Sequence, residues 1–234
     1  MPFQVSRWEV SQELSAFVAH IWQVRWSLSA GVEHTQPTLP DPVVHVAFEG
    51  GQAHIHGPLS HRFQRGLEGS GQVLGVRFRA AAFRAVWEQP LWTLRDRILP
   101  LETPEVREPE EAVRWLEAFV PTALDPALAR LRDHVETLLP ADEVTRVPTA
   151  AQALGVSERT LQRRYKDAVG WTPLEVLRRR RVKALLAALD AGERELAELA
   201  YRLGYADQAH LSRDFKGLIG RTPTQYIQDA QARC

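Results

Sequence analysis

Residues 203–216 read LGYADQAHLSRDFK, and this stretch decides the fold of the C-terminal part of the chain. It lies where two segments with apolar residues at helical spacing meet. Gly204 can adopt the positive φ that ends a helix, and Asp207 is a typical N-cap residue for the helix that follows. A helix, a short glycine-containing turn and a second helix form a helix-turn-helix unit. We therefore predict one such unit over residues 195–220.

Another copy of this unit lies earlier in the chain. The leucine, arginine, aromatic, lysine, glycine, threonine and proline residues between Leu161 and Pro173 recur at an offset of 50 positions, between Leu211 and Pro223. Upstream of Leu161, Gly155 is suited to end a short helix and Ser157 to cap the next one. An internal repeat of this kind indicates a duplicated supersecondary unit. We predict the first unit over residues 148–170.

The second helix of each unit has one apolar and one polar face. Leu161 and Tyr165 lie on the apolar face in the first unit, and Leu211 and Phe215 lie there in the second. The opposite faces carry Arg, Gln and Ser, which can hydrogen-bond to base edges in the DNA major groove. One solvated surface helix could have this pattern by chance, but two copies in register favour recognition helices.

The segment between the two units predicts a connecting helix. Thr172 and Glu175 form a capping box with Pro173 at the first helical position. The 17 residues from Pro173 to about Leu189 would span about 25 Å as a helix. Such a helix can hold two recognition helices about one DNA turn (~34 Å) apart once their own widths are added. The run 178–181 of four arginines lies on it and could supply phosphate contacts.

The N-terminal part has a different pattern. Short runs rich in β-branched and aromatic residues, such as 43–48 and 73–78, are separated by glycine and proline turns, which is typical of a small antiparallel sheet or barrel. We predict a β-rich sensing or dimerisation domain over 1–100, a linker with connecting helices over 101–140, and a DNA-binding domain over 141–234. The predicted fold class is α+β. A small antiparallel β domain, for which a cupin-like barrel is one candidate architecture, is followed by an all-α domain with the two helix-turn-helix units.

Charge follows the same division, although the 234-residue chain has a formal net charge of zero. Residues 141–234 hold 16 Lys and Arg against 12 Asp and Glu, a balance of +4, and the first 140 residues hold 13 against 17, a balance of −4. No apolar run reaches the ~18 residues of a membrane span, and no secretory signal is visible. The single cysteine excludes an internal disulfide. A cytoplasmic protein is expected.

Metal and catalytic chemistry are weakly supported. His54 and His56 would share one face of a strand, but no third ligand can be placed, so we predict no metal and no cofactor. Tryptophans of this domain could stack a planar ligand, although core packing explains them more simply. No catalytic motif is present, and we predict no enzymatic activity. Two alternatives stay open: a metal-dependent cupin-type enzyme, and a protein-interaction adaptor, each fused to a helix-turn-helix domain.

Residues from about 141 to 230 resemble the AraC/XylS family of transcription regulators. The resemblance is carried by 203–216, by the closing segment 220–226 and by 154–165 in the first unit. The N-terminal domain is similar, over shorter stretches, to the small β-rich domain of one AraC-like subgroup. The resemblance implies two helix-turn-helix units, and it implies base contacts from Arg159, Gln162 and Arg163 in the first and Gln208, Ala209, Ser212 and Arg213 in the second. Phosphate contacts are expected from Ser157, Lys166, Arg178, His210 and Lys216.

The partners follow from this resemblance. The expected partner is double-stranded promoter or operator DNA. A small-molecule effector, a second copy of the chain and, for an activator, RNA polymerase are further candidates. Membrane is not among the expected partners.

Overall fold

A computed structural model describes residues 3–29, 31, 34–38, 40–61, 63–137 and 146–231. The chain forms two compact units. The first comprises residues 1–136 together with 162–171, and the second comprises 137–161 together with 172–234. The predicted boundary between residues 140 and 141 lies outside the described residues.

Strands fill the N-terminal part and helices the C-terminal part, which confirms the predicted α+β class. The strands are β1 Phe3–Trp8, β2 Val18–Ser27, β3 His34–Thr38, β4 His45–Glu49, β5 Gln52–His56, β6 Phe63–Leu67, β7 Ser70–Phe78 and β8 Ile98–Leu101. The α-helices are α1 Pro109–Phe119, α2 Pro126–Thr137, α3 Val147–Ala153, α4 Glu158–Val169, α5 Pro173–Asp190, α6 Leu196–Arg202, α7 Gln208–Ile219 and α8 Pro223–Gln231. Among the described residues, no helix combines the length and the apolar character needed to cross a membrane.

The strands form a six-stranded antiparallel sheet in the order β1-β2-β7-β4-β5-β8, and β3 pairs with β6 in a separate two-stranded sheet. One face of the larger sheet is apolar. Ile21, Val76, Val46 and Ile55 lie opposite one another on four neighbouring strands, and each is at most 2% exposed. Burial of this row contributes to the driving force for folding this domain.

The other face of the same sheet carries polar and aromatic side chains, and Trp26, Ala47 and Val73 of this face form a buried apolar cluster with Leu67 of β6. Because successive residues of a strand point to opposite faces, the residues next to that aliphatic row form a second row on the opposite side. We term this surface the histidine face and define it as His20, Trp22, Trp26, His45, His54, His56 and Arg77. His54 and His56 do share one face of β5, as their spacing predicts.

The helix α1 completes the core of the first compact unit. Trp115 and Leu116 of α1 are buried in the same cluster as the apolar sheet face. The helix begins at a capping box formed by Glu108 and Glu111, with Pro109 at its first turn. Because its apolar side covers the sheet, α1 belongs to the core of this unit.

The helix α2 is fastened to the same unit by polar contacts. Arg79 pairs with Glu136 at 2.7 Å, and the Arg132 guanidinium donates to the Ala16 carbonyl oxygen at 2.8 Å. Both pairs are partly buried, so they hold α2 more firmly than exposed pairs would.

The second unit is built around α5 and α7. Val182 and Leu185 of α5 pack with Leu211 and Phe215 of α7 in one buried cluster, and none of the four is more than 2% exposed. The α5 helix starts at the predicted capping box, in which the Thr172 hydroxyl accepts a hydrogen bond from the Glu175 backbone N–H at 3.3 Å. The helix is 18 residues long, which corresponds to about 27 Å.

Candidate nucleic-acid interface

The second helix-turn-helix unit folds as its sequence predicts. The helix α6 ends at a turn in which Gly204 has φ +72°. Asp207 then caps α7, because its carboxylate accepts a hydrogen bond from the His210 backbone N–H at 2.6 Å. Gly220, with φ +83°, ends the helix by donating its N–H to the Lys216 carbonyl oxygen. Glycine is required at both ends, since a side chain would be strained at these positive φ values.

The face of α7 that points away from the core carries all the residues expected to read bases in this unit. Leu211, Phe215 and Ile219 anchor the helix in the core. Five residues form a continuous stripe on the opposite side, all exposed except Ser212, which is half-buried: Gln208, Ala209, Ser212, Arg213 and Lys216. The stripe combines two cations with neutral hydrogen-bonding groups, the composition that base edges and phosphates require.

The first helix-turn-helix unit presents the corresponding residues on α4. Gly155 has φ +64°, and the Ser157 hydroxyl accepts the Thr160 backbone N–H at 3.3 Å, so Ser157 is the N-cap of α4. Leu161 and Tyr165 are fully buried. The expected reading and phosphate residues of this helix are all exposed on one stripe: Arg159, Gln162, Arg163 and Lys166.

The C-terminal half of α4 contacts other parts of the first compact unit. The Tyr165 ring packs edge-on against the His134 ring of α2, with 6.2 Å between ring centroids. Asp167 pairs with Arg84 at 3.3 Å. Burial lowers the pKa of His134 to about 4, so this ring is neutral at pH 7.

Two of the expected phosphate-contacting residues have a protein partner that sequence reasoning missed. Arg178 Nε and His210 Nε2 each lie 3.8 Å from the same carboxylate oxygen of Asp214 on α7. Next to them, the Arg181 guanidinium lies over the Tyr205 ring at 5.2 Å. The one available signal was the position of Asp214 four residues after His210 on a helix. That spacing does not reveal that α5, which we term the linker helix, lies beside it.

The histidine face has its own internal bonding. The Trp22 indole N–H donates to His45 Nδ1 at 3.2 Å. Burial lowers the pKa of His45 to about 4, and the nearby Arg77 acts in the same direction. The Trp22 ring lies so closely on Gly75 that a Cβ there would overlap it. Among the described residues, no three His, Cys, Asp or Glu side chains are arranged to hold a metal ion.

Known domain families match both the C-terminal and the N-terminal part of the chain. A helix-turn-helix domain family matches residues 150–229, and a domain of unknown function, DUF6597, matches residues 7–100. The solved DNA-binding domain of AdpA, a global transcriptional factor described in complex with a target DNA, is 28% identical. That match covers 47% of this chain and 96% of the AdpA domain, with a TM-score of 0.39.

Two curated relatives give the family. A putative AraC-like transcription regulator of Streptomyces antibioticus is 36% identical over 120 residues, which are 51% of this chain and 38% of the relative's length. The probable transcription factor PqrA of Proteus vulgaris is 32% identical over 95 residues, 41% of this chain and 78% of that protein. The chain thus spans well under half of the Streptomyces relative. These matches and the helix-turn-helix domain confirm the predicted family: the chain belongs to the AraC/XylS family of transcription regulators.

Proposed function

We propose that this protein binds double-stranded DNA sequence-specifically, without catalysis, and regulates transcription from the site it occupies. The observation that carries the proposal is the exposed stripe of α7, where Arg213 and Lys216 stand with neutral hydrogen-bonding side chains on a helix anchored by three buried residues. The stripe of α4 repeats this arrangement. In such an interface phosphate contacts set affinity and register, and base contacts set specificity.

In this proposal α4 and α7 enter successive segments of the major groove. The length of α5, about 27 Å, is compatible with the separation of about one DNA turn that such entry requires. The proposed base-reading residues are Arg159, Gln162, Arg163, Gln208, Ala209, Ser212 and Arg213. The phosphate contacts proposed for the native protein come from Ser157, Lys166, His210 and Lys216, whereas the fifth candidate, Arg178, lies beside the Asp214 carboxylate and reaches a phosphate only when that pair opens.

The test begins with genomic fragments selected on the purified protein, which define the bound sequence. Fluorescence anisotropy on that duplex then compares Arg163→Ala and Arg213→Ala with the native protein. Each substitution should cost about 1–3 kcal/mol of binding free energy and relax base preference at a few positions. The matched control is Arg130→Ala, because Arg130 is an exposed arginine of α2 that belongs to neither stripe. Native affinity and native base preference in both test variants would refute this assignment of reading residues.

The same measurement separates DNA binding from a protein adaptor. A DNA-binding protein should lose affinity steeply as salt is raised and should prefer its selected site to a scrambled duplex. An adaptor whose helical units bind another regulator predicts neither result. Absence of any selected sequence and of any salt dependence would favour the adaptor.

The N-terminal domain is proposed to sense an effector or to drive dimerisation. The histidine face supports sensing, because Trp22 offers an aromatic surface beside the hydrogen-bonding groups of His45 and Arg77. Tryptophan fluorescence during titration with fractionated metabolite extract tests this role, with Trp22→Leu as the variant that should lose the response. A signal that survives in Trp22→Leu would place the effector elsewhere.

The remaining partners follow from the family. A second copy of the chain is proposed as the dimerisation partner, and sedimentation of the purified protein tests it. RNA polymerase is the proposed partner if the regulator activates transcription, which transcription in vitro on the selected promoter decides. A regulator that acts on the chromosome of a bacterial cell would function in the cytoplasm.

A further inference from the structure

Asp214 is the acidic side chain of α7 that faces the linker helix, on the border of the reading stripe. Its side chain is only 14% exposed, and it meets Arg178 of α5 and His210 of α7 at 3.8 Å each. We propose that Asp214 is a positioning residue that holds Arg178 back from the DNA backbone and so limits the sequence-independent part of DNA affinity. The inference rests on the DNA-binding function proposed above.

The surroundings of Asp214 are polar and aromatic. His210 packs edge-on against the Tyr205 ring, with 5.2 Å between ring centroids, and Arg181 covers the same ring. The linker helix, the turn and the recognition helix therefore meet at one polar cluster. Burial, with the Asp214 carboxylate nearby, raises the pKa of the Tyr205 hydroxyl, so this group stays neutral. The remaining charges of the cluster are the carboxylate and the cations around it.

The carboxylate competes with phosphate for the Arg178 guanidinium. Arg178 is 48% exposed along its side chain, so it can be approached from solvent while Asp214 cannot. A cation contributes to salt-dependent binding when it displaces counterions from DNA, at about 0.9 in the slope of log affinity against log salt for each phosphate neutralised. With its charge balanced by the largely buried Asp214 carboxylate, Arg178 contributes little to that slope.

Neutralising the carboxylate should release one phosphate contact. The variant Asp214→Asn keeps the shape and the polarity of the side chain and removes its charge. Its affinity for a random-sequence duplex should show a slope steeper by about 0.9, which corresponds to roughly a fivefold gain in affinity at 0.15 M salt. The variant Asp214→Glu keeps the charge and should restore a slope close to the native one. A purely structural role would not predict rescue by charge.

Two further variants show whether Arg178 is the cation concerned. Arg178→Gln should leave the slope of the native chain nearly unchanged but should remove the extra 0.9 in the Asp214→Asn background. Glu193→Gln is the matched control, because Glu193 pairs with Arg202 in the same unit and lies outside this cluster. It should change neither slope nor affinity.

The outcomes separate this inference from the proposed function. If the native protein shows no DNA binding at all, the proposed function fails. If it binds DNA and Asp214→Asn leaves the slope unchanged, Asp214 does not restrain Arg178. Should Asp214→Asn fail to fold, as judged by circular dichroism, the salt slope of the Arg178→Gln variant tests the inference instead. A fall of about 0.9 in the slope of the otherwise native chain would overturn the inference, and an unchanged slope would support it.

Discussion

Buried His134 should contribute a loss of stability of the first compact unit in mild acid. This residue is 8% exposed, its Nε2 atom has no hydrogen-bond partner, and burial lowers its pKa to about 4. In the unfolded chain the same imidazole has a pKa of about 6.5. Below pH 6.5 the unfolded chain binds a proton that the native protein does not, so stability is lost as the pH falls from 6.5 towards 4. Between pH 8 and pH 5 this difference amounts to about 2 kcal/mol.

Urea denaturation at pH 8 and pH 5 measures the effect, with His134→Phe as the variant that cannot titrate. Its ring can keep the edge-on packing against Tyr165. The native protein should lose about 2 kcal/mol more than the variant across this pH interval, because all other titrating groups contribute equally to both and cancel. His134→Leu provides a second variant should the larger ring be poorly accommodated. Equal losses in the native protein and the variants would show that His134 is protonated in the native state and would refute the reasoning.

Three substitutions test the packing of the fold. Asp207→Ala removes the cap that accepts the His210 N–H and should lower the free energy of unfolding by about 1 kcal/mol, visible as a lower melting temperature; an unchanged melt would contradict the cap. Gly57→Ala should destabilise by about 3 kcal/mol in urea, since the added Cβ would overlap the Leu94 carbonyl oxygen, and a stable variant would mean that this backbone contact can open. Leu211→Ala leaves a cavity beneath α7 and should cost about 3 kcal/mol in the same assay while weakening DNA binding; normal stability would place this residue outside the core.

The helix-turn-helix units were predictable because their determinants are local. Gly204, Asp207 and the apolar positions of α7 act within a single turn or along a single helix. Caps and glycine turns depend on residues three or four positions apart, so their chemistry is visible in the sequence itself. The repeat gave a second instance of the same pattern, since Ser157 and Gly155 have the same roles in the first helix-turn-helix unit.

For the N-terminal domain, the sequence predicted the presence of an antiparallel sheet but not the order of its strands. The β-branched runs indicate strands, but the order β1-β2-β7-β4-β5-β8 brings together strands that are distant in the chain. Pairing of β2 with β7 depends on matching two whole faces, which no local pattern specifies. The packing of Trp115 into the sheet core is likewise a long-range contact, so α1 could be predicted as a helix but not assigned to this core.

The histidines of the sheet show why the chemistry of a strand face is decided by its cross-strand neighbours. The spacing of His54 and His56 places both on one face, as the sequence predicts, yet a metal site needs ligands from other strands. In the cross-strand row that includes His56, Arg77 of β7 lies between His20 and His45. A guanidinium at that point opposes a divalent cation, and it also helps to keep the pKa of His45 low. Arg77 also donates to the Asp41 carboxylate at 2.9 Å, so its charge is balanced within the protein, and the sensing proposal rests on the Trp22 ring and the polar side chains beside it rather than on a net positive charge.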